Sequence, residues 1–187
     1  RTFANIKVEG DIITKVASLL AEDKIVAWFQ GRMEVGPRAL GNRSILANPS
    51  SIEAKNKTNS KVKFREEWRP FCPTVLDYEA ENFFVDTTEC PYMIIAFDTL
   101  QNKRDIIPGV VHVDGTARLQ ILEKEHNLKY YSLLEEFYSL TKIPVLLNTS
   151  LNIKDEPICC TPYDALNFYF ATDIDALAIG DYLLIKQ

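Results

Sequence analysis

Between Gly31 and Ser44 the chain carries three of its seven glycines and three arginines (Arg32, Arg38, Arg43), directly after the apolar run Ile25-Val26-Ala27-Trp28-Phe29. Glycine weakens helix and strand alike, so the fold has to leave this stretch as a loop at the end of a strand. Glycines let backbone amides approach an oxyanion closely, and arginines offer forked donors that match phosphate or carboxylate. The same composition fits a surface turn with solvated arginines, and the rest of the chain has to decide between the two.

Charge is spread unevenly. From Arg32 to Arg69 there are nine Lys/Arg against four Asp/Glu, or +5, and the remainder carries twelve against twenty-two, or −10, which gives the net −5. A basic island in an acidic body focuses its field on a small anion, and it argues against binding along a nucleic-acid backbone. Cys72, Cys90, Cys159 and Cys160 show no CxxC spacing, and with only His112 and His126 besides, no metal site is expected. Reduced thiols, no membrane-length apolar run and no leader-like opening together lead to the expectation of a cytoplasmic protein with no membrane partner. A chain opening on Arg1, with methionine only at 33 and 93, is expected to be a piece of a longer protein.

Hydrophobic periodicity reads as helices alternating with short strands. Helices are expected from Asp11 (cap) to Ala21, from Ser50 or Ser51 to Asn59 as a solvent-facing lysine-rich helix, over Tyr130–Leu140, and from Pro162 to Phe170 with Thr161 as cap. Strands are expected at Ile25–Phe29, Ile45–Ala47, Pro73–Leu76, Tyr92–Phe97, Arg118–Leu122, Pro144–Leu147, and Asp175–Ile179 paired with Tyr182–Ile185. Residues 98–109 read as a loop. The fold class is α/β, a twisted mixed sheet flanked by helices, in one domain over 1–187.

Three further segments could share an anion site with the Gly/Arg loop. In Lys63-Phe64-Arg65-Glu66-Glu67-Trp68-Arg69-Pro70-Phe71, an extended backbone would project Lys63, Arg65 and, past a kink, Arg69 to one side. Glu66 and Glu67 read as arginine partners rather than catalysts. In His112-Val113-Asp114-Gly115-Thr116-Ala117-Arg118-Leu119-Gln120, Asp-Gly reads as a tight turn and His112 as structural, whereas Arg118 lies beside an apolar strand where an unpaired charge is costly. Asn148-Thr149-Ser150-Leu151-Asn152 follows the buried run Val145–Leu147. Its hydroxyls and amides can hold phosphate oxygens or form a turn.

These four segments, with Ile179-Gly180-Asp181-Tyr182, resemble the C-terminal domain of the O-carbamoyltransferases, a family that includes nodulation-factor and antibiotic carbamoyltransferases. The resemblance spans roughly Ile12 to Lys186. It implies a YrdC-like fold, in which Lys63-Phe64-Arg65 is similar to a Lys/Arg pair and Thr149-Ser150-Leu151-Asn152 to a Thr-Ser-Ala-Asn motif, with Leu151 a departure. It also implies carbamoyl phosphate and ATP as substrates, magnesium arriving with ATP, and carbamoyl adenylate as product. Transfer to an acceptor hydroxyl is then expected at a metal site in an N-terminal domain that this chain lacks.

On that resemblance Lys63, Arg69, Arg118 and Ser150 would hold carbamoyl phosphate and the developing adenylate. Arg38 and Arg65 would engage nucleotide phosphates, Asn148 and Asn152 would orient the carbamoyl or ribose groups, and Thr149 belongs to the same substrate- and nucleotide-binding set. Arg32 and Arg43 serve either the site or the loop's own anchoring. Three other readings stay open: a nucleotide-binding module without chemistry, the tRNA-modifying branch of the YrdC fold, which uses threonine and bicarbonate, and a structural role in which the basic island docks an acidic surface of the N-terminal domain. The acceptor is not legible.

Overall fold

A computed structural model describes residues 3–7, 11–66 and 68–186. In chain order the elements are β1 (Phe3–Lys7), α1 (Ile12–Ala21), β2 (Val26–Phe29), β3 (Arg43–Ala47), α2 (Ile52–Lys57), β4 (Cys72–Leu76), β5 (Ala96–Asp98), β6 (Thr116–Arg118), β7 (Gln120–Leu122), α3 (Leu128–Thr141), β8 (Val145–Ser150), α4 (Pro162–Ala171), β9 (Ala176–Ile179) and β10 (Tyr182–Lys186). Eight strands form one sheet in the order β1-β10-β9-β2-β3-β8-β4-β7, and β5 and β6 pair as a separate ribbon. The pairs β2–β9 and β4–β7 are parallel and all others antiparallel, so the sheet is mixed, as expected.

The central strands read as unbroken apolar runs because both faces of the sheet are covered. Alternate residues feed two cores. Ile25, Ala27, Ile45, Val75, Leu147 and Leu177 pack with Phe71, Phe84, Ile107 and Phe168 on one face. Val26, Trp28, Leu46, Leu146 and Ala178 pack on the other, against Val16 and Leu20 of α1 and Tyr130, Leu134 and Phe137 of α3. No helix among the described residues is long and apolar enough to cross a membrane.

Local chemistry sets the helix ends. Asp11 accepts from the Ile13 amide at 3.0 Å, Ser51 caps α2 through the Ala54 amide at 3.1 Å, and Thr161 with Asp164 forms a capping box on α4. Lys142, at φ 62°, closes α3 in the left-handed region.

Four expectations need correcting. The helix at Ser51 runs on as a π-helical turn over Thr58–Val62, and Ala54, Thr58, Asn59 and Val62 are buried, so it does not simply face solvent. Of Tyr92–Phe97 only Ala96 and Phe97 are strand, because Met93 adopts φ 54° and breaks the extended run. Arg118–Leu122 is two strands in two sheets, parted at Leu119, whose amide turns to the Ile95 carbonyl at 3.3 Å. The strand from Val145 does not stop at Leu147: Asn148, Thr149 and Ser150 are its last three residues, paired with Leu46, Ile45 and Ser44 of β3. β1, hydrogen-bonded to β10 at the sheet edge, had no counterpart in the sequence reading.

Candidate functional site

The Gly/Arg segment links the antiparallel strands β2 and β3, and its own residues hold it in place. The Arg43 guanidinium, on a residue 4% exposed, donates to the carbonyls of Gln30 (2.7 Å), Asn42 (3.0 Å), Gly31 (3.2 Å) and Cys160 (3.4 Å). It lies 3.5 Å from the Phe29 ring centre, and burial lowers its pKa while Glu34 opposes the shift. Glu34 Oε1 accepts from the amides of Leu40 (2.7 Å) and Asn42 (2.8 Å). Gly41, at φ 105°, leaves no room for a Cβ, which would fall 2.2 Å from Tyr130 Cδ1. Arg43 is therefore the loop's anchor. Arg32 is exposed.

What this anchoring presents is the segment Pro37-Arg38-Ala39, which forms one wall of a cleft of about 140 Å³. Six of the nine residues singled out from the sequence line that cleft: Arg38, Arg65, Arg118, Asn148, Thr149 and Ser150. They come from the loop, the segment after the π-helical turn, β6 and the end of β8. Arg38 is half-buried and makes no side-chain hydrogen bond or ion pair among the described residues. Arg118 donates from Nη2 to Cys72 Sγ at 3.0 Å, and its Nε is buried without a partner. Arg65 donates from Nε to Asn59 Oδ1 at 2.6 Å and stacks 4.5 Å from the Phe71 ring centre. Burial and then the neighbouring charge of Arg69 pull Arg65 down to about 10.

Lys63, Arg69 and Asn152 stand outside the lining. The expected extended run through Lys63 does not form, because Phe64 takes φ 51° and turns the chain. Arg65 thus reaches the cleft while Lys63, 4% exposed, points beneath the end of β8. There its Nζ donates to Asn152 Oδ1 (2.6 Å), the Ser150 and Asn152 carbonyls (both 2.8 Å) and Ser150 Oγ (3.3 Å). Burial and the charge of Arg65 lower Lys63 to about 7. Ser150 Oγ donates to Asn152 Oδ1 at 2.6 Å. Arg69 is about half-exposed and pairs with Glu66 at 3.7 Å, and Glu66 also faces Lys154 at 3.8 Å. The pairing expected of Glu67 lies outside the described residues. His112 bonds to Thr116 Oγ1 at 3.2 Å and is not in the lining.

Thr74 escaped the sequence reading, and Gln120 closed its third segment without being singled out. Thr74 and Gln120 are buried beside Asn148, which is 1% exposed. Asn148 Nδ2 donates to the Ala39 carbonyl (3.2 Å), Thr74 Oγ1 (3.1 Å) and Gln120 Oε1 (3.1 Å), while its Oδ1 is buried with no partner. Thr74 and Gln120 had a signal: each is the polar member of an apolar strand run, Pro73–Leu76 and Leu119–Leu122, where burial demands a partner.

Among the described residues no carboxylate lines the cleft, and no group of three or more His, Cys, Asp or Glu is placed to hold a metal. All four cysteines are free thiols. Burial, then Asp164, pushes Cys159 up to about 11. The arrangement offers concentrated positive charge and no activated nucleophile, which suits binding and neutralising an anion.

The chain is 42% identical over 188 residues to nodulation protein NolNO of Sinorhizobium fredii, covering 98% of this chain and 28% of that protein. It is 40% identical to nodulation protein NolO of Bradyrhizobium diazoefficiens, covering 98% of this chain and 34% of the other. It thus spans about a third of the length of these relatives. Among solved structures, full-length HypF in a phosphate- and nucleotide-bound form superposes with a TM-score of 0.62 at 19% identity, over 98% of this chain and 22% of HypF. P. abyssi Sua5 complexed with L-threonine gives 0.59 at 15% identity, over 90% of this chain and 46% of Sua5. The fold is therefore YrdC-like. The family model described as "Carbamoyltransferase C-terminus" matches residues 17–186, and the chain belongs to that carbamoyltransferase family.

Proposed function

We propose that this domain makes carbamoyl adenylate from a carbamoyl donor and ATP, for transfer to an acceptor hydroxyl by another part of a longer enzyme. One observation carries the proposal: Arg38, Arg65 and Arg118 share a small cleft that no carboxylate among the described residues lines. Like charges gathered in a partly buried site are costly until an anion joins them. A volume of about 140 Å³ is below the ~300–1,000 Å³ usual for a whole drug-sized ligand. The cleft therefore takes the carbamoyl and phosphate end, and the nucleoside lies beyond its mouth.

The atoms balance as follows. Water cleaves carbamoyl phosphate to carbamate and inorganic phosphate. A carbamate oxygen attacks the α-phosphorus of ATP, and pyrophosphate leaves with the electrons of the broken P–O bond. Such a step needs alignment and charge neutralisation rather than a protein nucleophile. Arg38 and Arg65 bind the nucleotide phosphates. Arg118 faces the carbamoyl donor, and Asn148 and Thr149 orient it. Lys63 and Asn152 act through Ser150 by fixing the end of β8. Arg69, tied to Glu66, takes no part in the lining.

The donor set does not fit a protein-held magnesium, since hard cations favour carboxylate oxygens. The ion belongs to the triphosphate and its own water. The chain's share of its relatives, about a third, leaves room for a transfer domain with its own metal, and the free thiols fit a reducing cytoplasm.

The test is pyrophosphate release from ATP and magnesium with carbamoyl phosphate, and with ammonium carbamate to bypass the hydrolytic step. Carbamoyl-dependent release, lost at least tenfold in Arg118→Ala with the fold intact, is expected. Release that depends instead on threonine and bicarbonate would reassign the domain, and ATP binding without any release would make it a nucleotide-binding module.

A further inference from the structure

The Asn148 amide has only one orientation open to it, and residues outside the cleft dictate it. Gln120 Nε2 donates to the Leu40 carbonyl at 3.0 Å. A carbonyl can only accept, so Gln120 must turn its Oε1 inward. That oxygen takes the Thr74 hydroxyl hydrogen at 2.8 Å and one from Asn148 Nδ2 at 3.1 Å. The Ala39 carbonyl, another pure acceptor, also faces Nδ2. With its nitrogen held this way, Asn148 has its Oδ1 left buried and unpartnered on a residue that lines the cleft.

An orphaned buried acceptor is expensive, and native structures rarely keep one without a use. Its residue shares the cleft with three arginines, whose guanidiniums can only donate and none of which bonds to it. An oxyanion alone satisfies the arginines and leaves this oxygen stranded. A ligand that carries an N–H beside its oxyanion satisfies both.

We propose that Thr74 and Gln120 are specificity-determining positioning residues, holding Asn148 Oδ1 toward the cleft to accept an N–H of the carbamoyl group. The proposal rests on the reading that a carbamoyl donor occupies this cleft. It adds that the cleft discriminates the NH2 of a carbamoyl from the CH3 of an acetyl group of the same shape. Neither Thr74 nor Gln120 lines the cleft. Loss of Gln120 frees the Thr74 hydroxyl hydrogen, which can then donate to Asn148 Oδ1 and stabilise the flipped amide, with a donor where the acceptor stood.

Calorimetric titration of the 187-residue chain with carbamoyl phosphate and with acetyl phosphate tests this without requiring turnover. The wild type is expected to prefer carbamoyl phosphate by about tenfold or more, the scale of one buried unpaired polar group. Gln120→Leu is expected to shrink that preference to within about threefold by weakening carbamoyl phosphate alone, because the arginines that hold the phosphate are untouched, and Thr74→Val, which leaves the Ala39 carbonyl and Gln120 Oε1 facing Asn148 Nδ2, to shrink it by less. Thr74→Ser, which keeps the hydroxyl, retains it. Equal wild-type affinity for the two ligands, no binding of either, or variants that weaken both ligands alike would each overturn the proposal. Failure of the adenylation reading has a separate signature: selective binding of carbamoyl phosphate without pyrophosphate release.

Discussion

Replacing Lys63 by methionine should have a pH signature that a merely structural lysine lacks. The ammonium is 4% exposed, and burial, then Arg65, lowers it from 10.5 to about 7. Because the folded pKa lies below the unfolded one, the unfolded chain binds more protons between the two values. Wild-type stability therefore rises with pH across that window, and the full cost of charging Lys63 is present below its folded pKa. From about pH 6 to about pH 9 the difference in proton binding accumulates over roughly two pH units at about 1.4 kcal/mol each, or about 2.5 kcal/mol. Methionine carries no such term. At every pH, however, the variant strips a donor from the buried oxygens of Ser150 and Asn152, at about 1–3 kcal/mol for each one left unsatisfied. Urea unfolding should thus find Lys63→Met least disadvantaged near the acid end, with the gap to wild type widening by about 2.5 kcal/mol toward the basic end. A gap that stays flat, or widens toward acid, would refute the reasoning.

Gly41→Ala should cost about 3 kcal/mol or more, adding overpacking against Tyr130 to the strain of a positive φ, whereas Gly36→Ala, with no atom within 4 Å of its Cβ, should cost about 1–2 kcal/mol from backbone strain alone. Equal losses in chemical unfolding would show that the Tyr130 contact yields freely. Arg38→Ala should leave stability within about 0.5 kcal/mol, since the side chain has no partner among the described residues, yet lower carbamoyl-dependent pyrophosphate release at least tenfold. Unchanged release would remove Arg38 from the site.

The strands of the sheet's middle were legible because two-sided burial writes an unbroken apolar run, as in Val26–Phe29 and Val145–Leu147. The helix starts were legible because Asp11, Ser51 and Thr161 are caps with a mechanism. Resolving Arg118–Leu122 into two sheets was not, since the break depends on a tertiary hydrogen bond from Leu119 to Ile95, and no local propensity encodes it. The convergence of Arg38, Arg65 and Arg118 on one cleft followed from their placement next to strand ends. The diversion of Lys63 away from it did not, because a single left-handed residue, Phe64, reverses the period-two argument that put Lys63 and Arg65 on one side. Thr74 and Gln120 were missed for another reason: a lone polar residue in an apolar strand shows that a partner exists without saying which.

The four carbonyls gathered by Arg43 have a topological consequence. Two of the contacts close a span of twelve or thirteen residues, and the bond to Cys160 closes one of 117. Bringing such distant backbone together is what a cross-link does, at an entropic cost that grows slowly with the length enclosed. All four cysteines are free, so this rivet between the Gly/Arg loop and the last third of the chain is assembled from hydrogen bonds alone. It is indifferent to reducing agents, weakly screened by salt because it is buried, and re-formed each time the chain refolds.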